Sequence, residues 1–165
     1  MISLEQLNES SRELFVERLG AIFEHSPWVA ASAYGAKPFA SIDELQTAMM
    51  HIVRESSRET IIDLFRAHPD LGTRLAVAEN SAKEQQAAGL NELSPSEYEH
   101  IYGLNQTYIK TFGYPFILAV KGKNKEQIIE AMEGRIWHSS SEEREQALLE
   151  IGKIAGFRLR DLIIE

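Results

Sequence analysis

Apolar side chains recur at helical spacing through most of this chain. Phe15, Val16, Leu19, Ile22 and Phe23 fall on one face, behind a Ser10–Glu13 pair that has the form of a capping box. This spacing predicts a helix from Ser10 to near His25, broken by Ser26-Pro27. Residues 28–39 are small and punctuated by Gly35 and Pro38, which predicts a loop. Ser41 with Glu44 opens a second helix, with Ile42, Leu45, Met49, Ile52 and Val53 as its buried face. A third covers residues 58–67, where Ile61, Ile62, Leu64 and Phe65 run into His68-Pro69.

A fourth helix is predicted over residues 73–88, stopped by Gly89. Ser94-Pro95 with Glu97 then supplies an N-cap, a proline at the first helical position and an acid at the third. The fifth helix it opens carries Tyr98, Ile101, Tyr102, Asn105, Tyr108, Ile109 and Phe112 before Gly113. Phe116 to Val120 reads either as a short buried strand or as an extended loop. Two more helices follow, near 125–134 and 142–163. The expected fold class is therefore all-α: a single-domain bundle of about seven to eight helices with little or no sheet.

Composition narrows the class of partner. The chain has 165 residues, 44% of them apolar and 25% charged, which fits one globular domain. A net charge of −8 argues against nucleic acid and anionic membranes, which require clustered Lys and Arg. Cysteine is absent, so disulfides, thiolate metal sites and cysteine nucleophiles are excluded. The longest apolar run, Phe116–Val120, is far too short to span a bilayer. The start M-I-S-L-E-Q does not resemble a signal peptide, and the end I-I-E is not a peroxisomal tripeptide; cytoplasm is the expected location.

Candidate chemistry centres on L-F-R-A-H-P-D-L. Proline disfavours helical geometry in the residue before it, so His68 is expected at or just beyond a helix C-terminus. An imidazole there can exchange protons near neutrality, or simply complement the helix dipole. The other histidines, His25, His51, His100 and His138, share no metal-ligand spacing and read as surface or half-buried residues. Ser81, Glu84, Gln85 and Ala88 lie on one face of the fourth helix, either as a solvated stripe or as convergent polar groups in a cleft. Phe112-Gly113-Tyr114-Pro115-Phe116 ends a helix and leaves backbone groups open to a ligand. Arg158 can meet a carboxylate bidentately or form a salt bridge. No nucleotide-binding or serine-hydrolase motif occurs.

The ordered set F-R-A-H-P-D-L, S-A-K-E-Q-Q-A-A-G-L, L-N-Q-T-Y, F-G-Y-P-F-I and E-I-G-K-I-A-G-F-R-L resembles the OHCU decarboxylases along the whole chain. The resemblance implies an all-helical homodimer that needs no metal or organic cofactor. Its small-molecule substrate is 2-oxo-4-hydroxy-4-carboxy-5-ureidoimidazoline, and its products are (S)-allantoin and carbon dioxide. His68 matches the family's catalytic histidine, and Glu84, in the matched S-x-x-E-Q face, is the candidate carboxylate to orient or charge-tune it. Pro69, Ser81, Ala82, Lys83, Glu84, Gln85, Phe116, Ile117, Leu118, Ala119, Val120 and Arg158 match substrate-binding positions. Gly72 and Tyr114 depart from the alanine and phenylalanine frequent there, which bears on pocket shape. Two other readings compete: a non-enzymatic helical interaction module, and another cofactor-free lyase or hydrolase acting on ureido compounds.

Overall fold

The computed structural model describes residues 1–69, 71 and 93–165. Among these residues are eight α-helices and one pair of two-residue strands, as expected for an all-α chain. The chain forms two compact units, residues 1–64 with 151–165 and residues 65–150.

In the first unit, α1 (Leu4–Glu9) opens with a Ser3–Gln6 capping box. Two expectations change here. Ser10 closes α1 rather than opening the next helix; the hydroxyl of Ser11 caps α2 (Arg12–Leu19) by accepting from the Leu14 N–H at 3.2 Å. Nor does α2 reach His25. It stops at Gly20, where a β-carbon would lie 2.6 Å from the Val16 carbonyl oxygen. Ile22 and Phe23 are buried from the turn that follows, so their helical spacing reports burial and not helix.

The predicted loop at 28–39 instead contains α3 (Trp28–Ala33) and a 3-10 turn (Tyr34–Ala36). Its alanines are strong helix formers, and Val29, Ala30 and Ala33 give it a buried face of small side chains. Asn8 grips the loop end, accepting from the Phe39 N–H and donating to the Phe39 carbonyl, both at 2.8 Å.

The second helix appears as expected: α4 (Ile42–Glu55) is capped by Ser41 and buries Ile42, Leu45, Met49 and Val53, with Ile52 half-buried. Gln46 donates to the Gly152 carbonyl at 2.8 Å, and Asp43 pairs with Arg160. β1 (Ile2–Ser3) and β2 (Ile163–Ile164) run parallel, with Ile2 opposite Ile163.

The chain passes between the units within α5 (Arg58–Arg66) and α8 (Ser140–Leu162). In the second unit, α6 (Pro95–Phe112) starts with the expected Ser94–Glu97 capping box and Pro95. It ends at Gly113 with φ +86°, a left-handed conformation that glycine adopts without steric cost. α7 (Lys125–Arg135) has its own capping box, Asn124 with Gln127. Glu97–Lys125 at 3.0 Å and His100–Glu133 at 2.8 Å bridge α6 and α7. The Lys125 ammonium, with Ser94 behind it, holds the Glu97 carboxyl below its ordinary range.

Candidate active site

The His68 turn is built by the end of α5. Helical geometry stops after Arg66, and the His68 N–H closes a tighter turn onto the Phe65 carbonyl at 3.2 Å. Pro69 follows, half-buried, at the place where it prevents further helix. His68 is 8% exposed, so its imidazole is held in the protein and not spread on the surface. Two contacts fasten this turn to the far end of α6. The Arg66 Nε donates to the Gly113 carbonyl at 3.0 Å, and the Phe65 ring lies 4.8 Å from that of Tyr114.

Beyond Tyr114 the chain enters residues 116–120, all buried yet neither helical nor strand. Of the two forms expected for this segment, the loop is the one present. Buried main-chain groups ordinarily find partners. Here the Phe116 N–H donates to Asn105 Oδ1 at 3.4 Å, and the Ile117 carbonyl accepts from Arg135 Nη1 at 2.6 Å. The Val120 carbonyl accepts from the Lys123 N–H at 3.0 Å. Leu118 and Ala119 are 7% and 4% exposed, and their main-chain groups hydrogen-bond to none of the described residues. These peptide groups have the placement expected of a ligand-binding wall.

Behind that wall stands a network that no motif predicted. Arg135 donates through Nε to Glu143 Oε1 at 2.8 Å and also contacts it through Nη2; its guanidinium lies 4.3 Å from the centre of the Phe116 ring. Tyr108 donates to the same carboxylate oxygen at 2.5 Å, and His138 Nδ1 lies 3.1 Å from the other. Glu143 is completely buried. Burial, reinforced by the Glu143 carboxylate, pushes the Tyr108 phenol far above its ordinary range. Burial raises the Tyr114 phenol as well. Both hydroxyls therefore stay protonated, and Tyr108 remains a donor. The one available signal was Asn105, a polar residue on the stripe formed by Ile101, Tyr108 and Phe112. Glu143, in an acidic run at a helix start, gave none.

The sequence-predicted site residues are thus distributed unevenly. His68, Pro69 and Phe116 to Val120 belong to one compact unit, with the His68 turn fastened to the end of α6 just before the 116–120 segment. Arg158 belongs to the other unit. It is buried, donating to the Ile22 carbonyl at 3.0 Å and to Glu24 at 2.9 Å. Ser81, Ala82, Lys83, Glu84 and Gln85, the helix expected at 73–88, and Gly72 lie outside the described residues. Tyr114 sits among Phe65, Tyr108 and Phe112, so its departure from phenylalanine falls in an aromatic cluster. His25, His51, His100 and His138 are all exposed, as their sequence context suggested.

An all-helical chain with a buried histidine at a His-Pro turn, fastened to a helix end that leads into a buried, non-regular backbone segment, has the form of a small helical enzyme. The family model described as OHCU decarboxylase matches residues 8–160, and the chain belongs to that family. It is 45% identical over 163 residues to the 2-oxo-4-hydroxy-4-carboxy-5-ureidoimidazoline decarboxylase of Halalkalicoccus jeotgali, covering 99% of this chain and 93% of that one. The protein of the same name from Haloferax volcanii is 46% identical over 160 residues, with 97% and 95% covered. A crystal structure described as (S)-allantoin synthase superposes with a TM-score of 0.82 at 31% identity, covering 98% of this chain and 54% of the other.

Proposed function

We propose that this chain decarboxylates 2-oxo-4-hydroxy-4-carboxy-5-ureidoimidazoline (OHCU) to (S)-allantoin and carbon dioxide in urate degradation. Family membership over residues 8–160 supports a carboxy-lyase and sets aside the interaction module. The observation that carries the site is the buried His68 turn, fastened through Arg66 and Phe65 to Gly113 and Tyr114, just before the buried segment 116–120.

The substrate bears its carboxylate and a hydroxyl on one ring carbon, beside a C=N carbon that carries the ureido group. When the carbon–carboxylate bond breaks, its electron pair forms a double bond between these ring carbons, and the ring nitrogen takes up a proton. The hydroxyl then loses its proton to become a carbonyl, and the ureido-bearing carbon gains one on a single face. The balance is one proton consumed and one carbon dioxide released. The protein's work is to orient the carboxylate out of the ring plane and to move protons.

In this reading His68 is the acid/base that exchanges a proton with the hydroxyl or the ring. Glu84 orients the imidazole or holds the ureido N–H groups. Ser81, Gln85 and the peptide groups of 118 and 119, which have no partner among the described residues, meet the donors and acceptors of the urea-like edges. By the family resemblance, Ala82 and Lys83 lie in the same substrate-binding sequence segment as Glu84, and Pro69 holds the His68 turn. Arg158, as a ligand for the substrate carboxylate, would share its guanidinium with Glu24. The family resemblance adds a homodimer, and the sequence expectation adds a cytoplasmic setting. Among the described residues no helix is long and apolar enough to cross a membrane.

The test follows loss of freshly generated OHCU together with the circular dichroism of the allantoin formed, since protonation in bulk water has no facial preference. His68→Asn should lower kcat/KM by about 10²- to 10⁴-fold and leave the product racemic. A near-native rate with unchanged enantiomeric excess overturns the role of His68. Failure of the wild-type protein to accelerate OHCU loss overturns the decarboxylase reading itself.

A further inference from the structure

We propose that Arg135 and Asn105 are positioning residues that set the backbone of 116–120 against the substrate. Arg135 in turn is locked by Glu143 and Tyr108. The inference rests on the decarboxylase reading and assigns it residues that touch no reacting atom.

Three observations carry it. First, the two side chains hold consecutive residues of the same buried segment: Asn105 takes the Phe116 N–H and Arg135 the Ile117 carbonyl. Among the described residues, the peptide groups of Leu118 and Ala119, immediately after the held ones, have no hydrogen-bond partner. Their direction is therefore set by the residues that hold 116 and 117.

Second, the arginine is itself constrained from three sides. Its guanidinium faces Glu143, lies over the Phe116 ring and reaches the Ile117 carbonyl, while Tyr108 fixes the carboxylate from α6. A planar, five-donor group suits this task, since it satisfies carboxylate and carbonyl in one rigid geometry; a lysine has only a point charge.

Third, Asn105 is fully buried, and its Nδ2 has no hydrogen-bond partner among the described residues. An unsatisfied buried donor is a cost to the folded chain that a leucine would avoid. A stripe selected for packing alone would not carry it. An asparagine kept for its Oδ1 contact with Phe116 accounts for it.

The site's peptide groups contact the substrate in the ground state and the transition state alike. Their displacement should therefore raise KM more than it lowers kcat. It should also loosen control of the protonated face.

The test combines steady-state kinetics on freshly generated OHCU, enantiomeric excess of the allantoin, and amide hydrogen exchange of 116–120 in the free protein. Arg135→Lys should speed exchange in that segment and raise KM about tenfold, with kcat within about threefold and a measurable fall in enantiomeric excess. Tyr108→Phe, which leaves the Arg135–Glu143 pair in place, should shift the same readouts in the same direction by less. Where Arg135→Lys does not fold, Asn105→Ser decides, by the same three measurements. Wild-type exchange in folded variants overturns the proposal, as does faster exchange with unchanged KM and enantiomeric excess. Inactive wild-type protein defeats the decarboxylase reading and this inference with it; active wild type with indifferent variants defeats the inference alone.

Discussion

Arg135 and Arg158 perform a similar local task in the two compact units. Each is buried, donates through Nη1 to a main-chain carbonyl and faces a buried glutamate. Arg158 takes Ile22 at 3.0 Å and Glu24 at 2.9 Å; Arg135 takes Ile117 at 2.6 Å and Glu143. The difference lies in what each glutamate joins. Glu24 is two residues from Ile22, so the pair fastens one turn to α8. Glu143 also receives the Tyr108 hydroxyl and faces the His138 ring, so its carboxylate ties α6, the segment 116–120, the end of α7 and the start of α8. Among the described residues, the same chemical pair fastens one turn to α8 in one unit and joins four segments in the other.

Removing each glutamate tests that contrast most severely. Glu143→Ala leaves a buried guanidinium without its counter-charge and should cost about 3–5 kcal/mol in urea denaturation. Glu24→Ala should fall in the same range but below it, with intact hydrogen-exchange protection at 116–120. Equal or greater loss from Glu24→Ala would break the comparison.

A smaller effect appears in alkali. The Tyr108 and Tyr114 phenols are raised by burial, whereas in the unfolded chain they ionise at their ordinary value, near 10. Above that pH the folded state binds more protons than the unfolded one, so stability is complete below pH 10 and falls as pH rises. The slope should approach about 1.4 kcal/mol per pH unit for Tyr108, whose phenol is raised furthest, with Tyr114 adding in the same direction. Tyr108→Phe and Tyr114→Phe should each flatten it, and a slope unchanged in both would refute the burial argument. The smallest effect belongs to the surface of the same unit. His100 and Glu133 are each about half exposed, so Glu133→Ala should cost less than about 1 kcal/mol and less still in high salt.

Local signals in the sequence carried much of the fold. Ser41, Ser94, Pro95 and Gly113 marked the ends of α4 and α6 because capping and left-handed turns depend on a few adjacent residues. His68 was legible as a helix terminus for the same reason, since proline restricts its immediate neighbour. Where the reading failed, burial imitated helix or composition imitated loop. Ile22 and Phe23 kept helical spacing in a turn, and the small residues of α3 resembled a loop. The segment 116–120 was visible as apolar, but apolar spacing does not distinguish a strand from a buried loop.

By itself the sequence determined the helical class, the principal capped boundaries, the His-Pro turn and membership in the decarboxylase family. All of these rest on adjacent residues or on motif order. Tertiary structure alone decided that Tyr108 and Arg135 converge on the Glu143 carboxylate, that Arg135 holds the carbonyl of Ile117, and that Asn105 meets the N–H of Phe116. Glu143 and Tyr108 are 35 positions apart, and each looks ordinary among its neighbours. Their partnership exists only because the packing of the unit removes both from water, where a carboxylate needs a counter-charge and a phenol needs an acceptor.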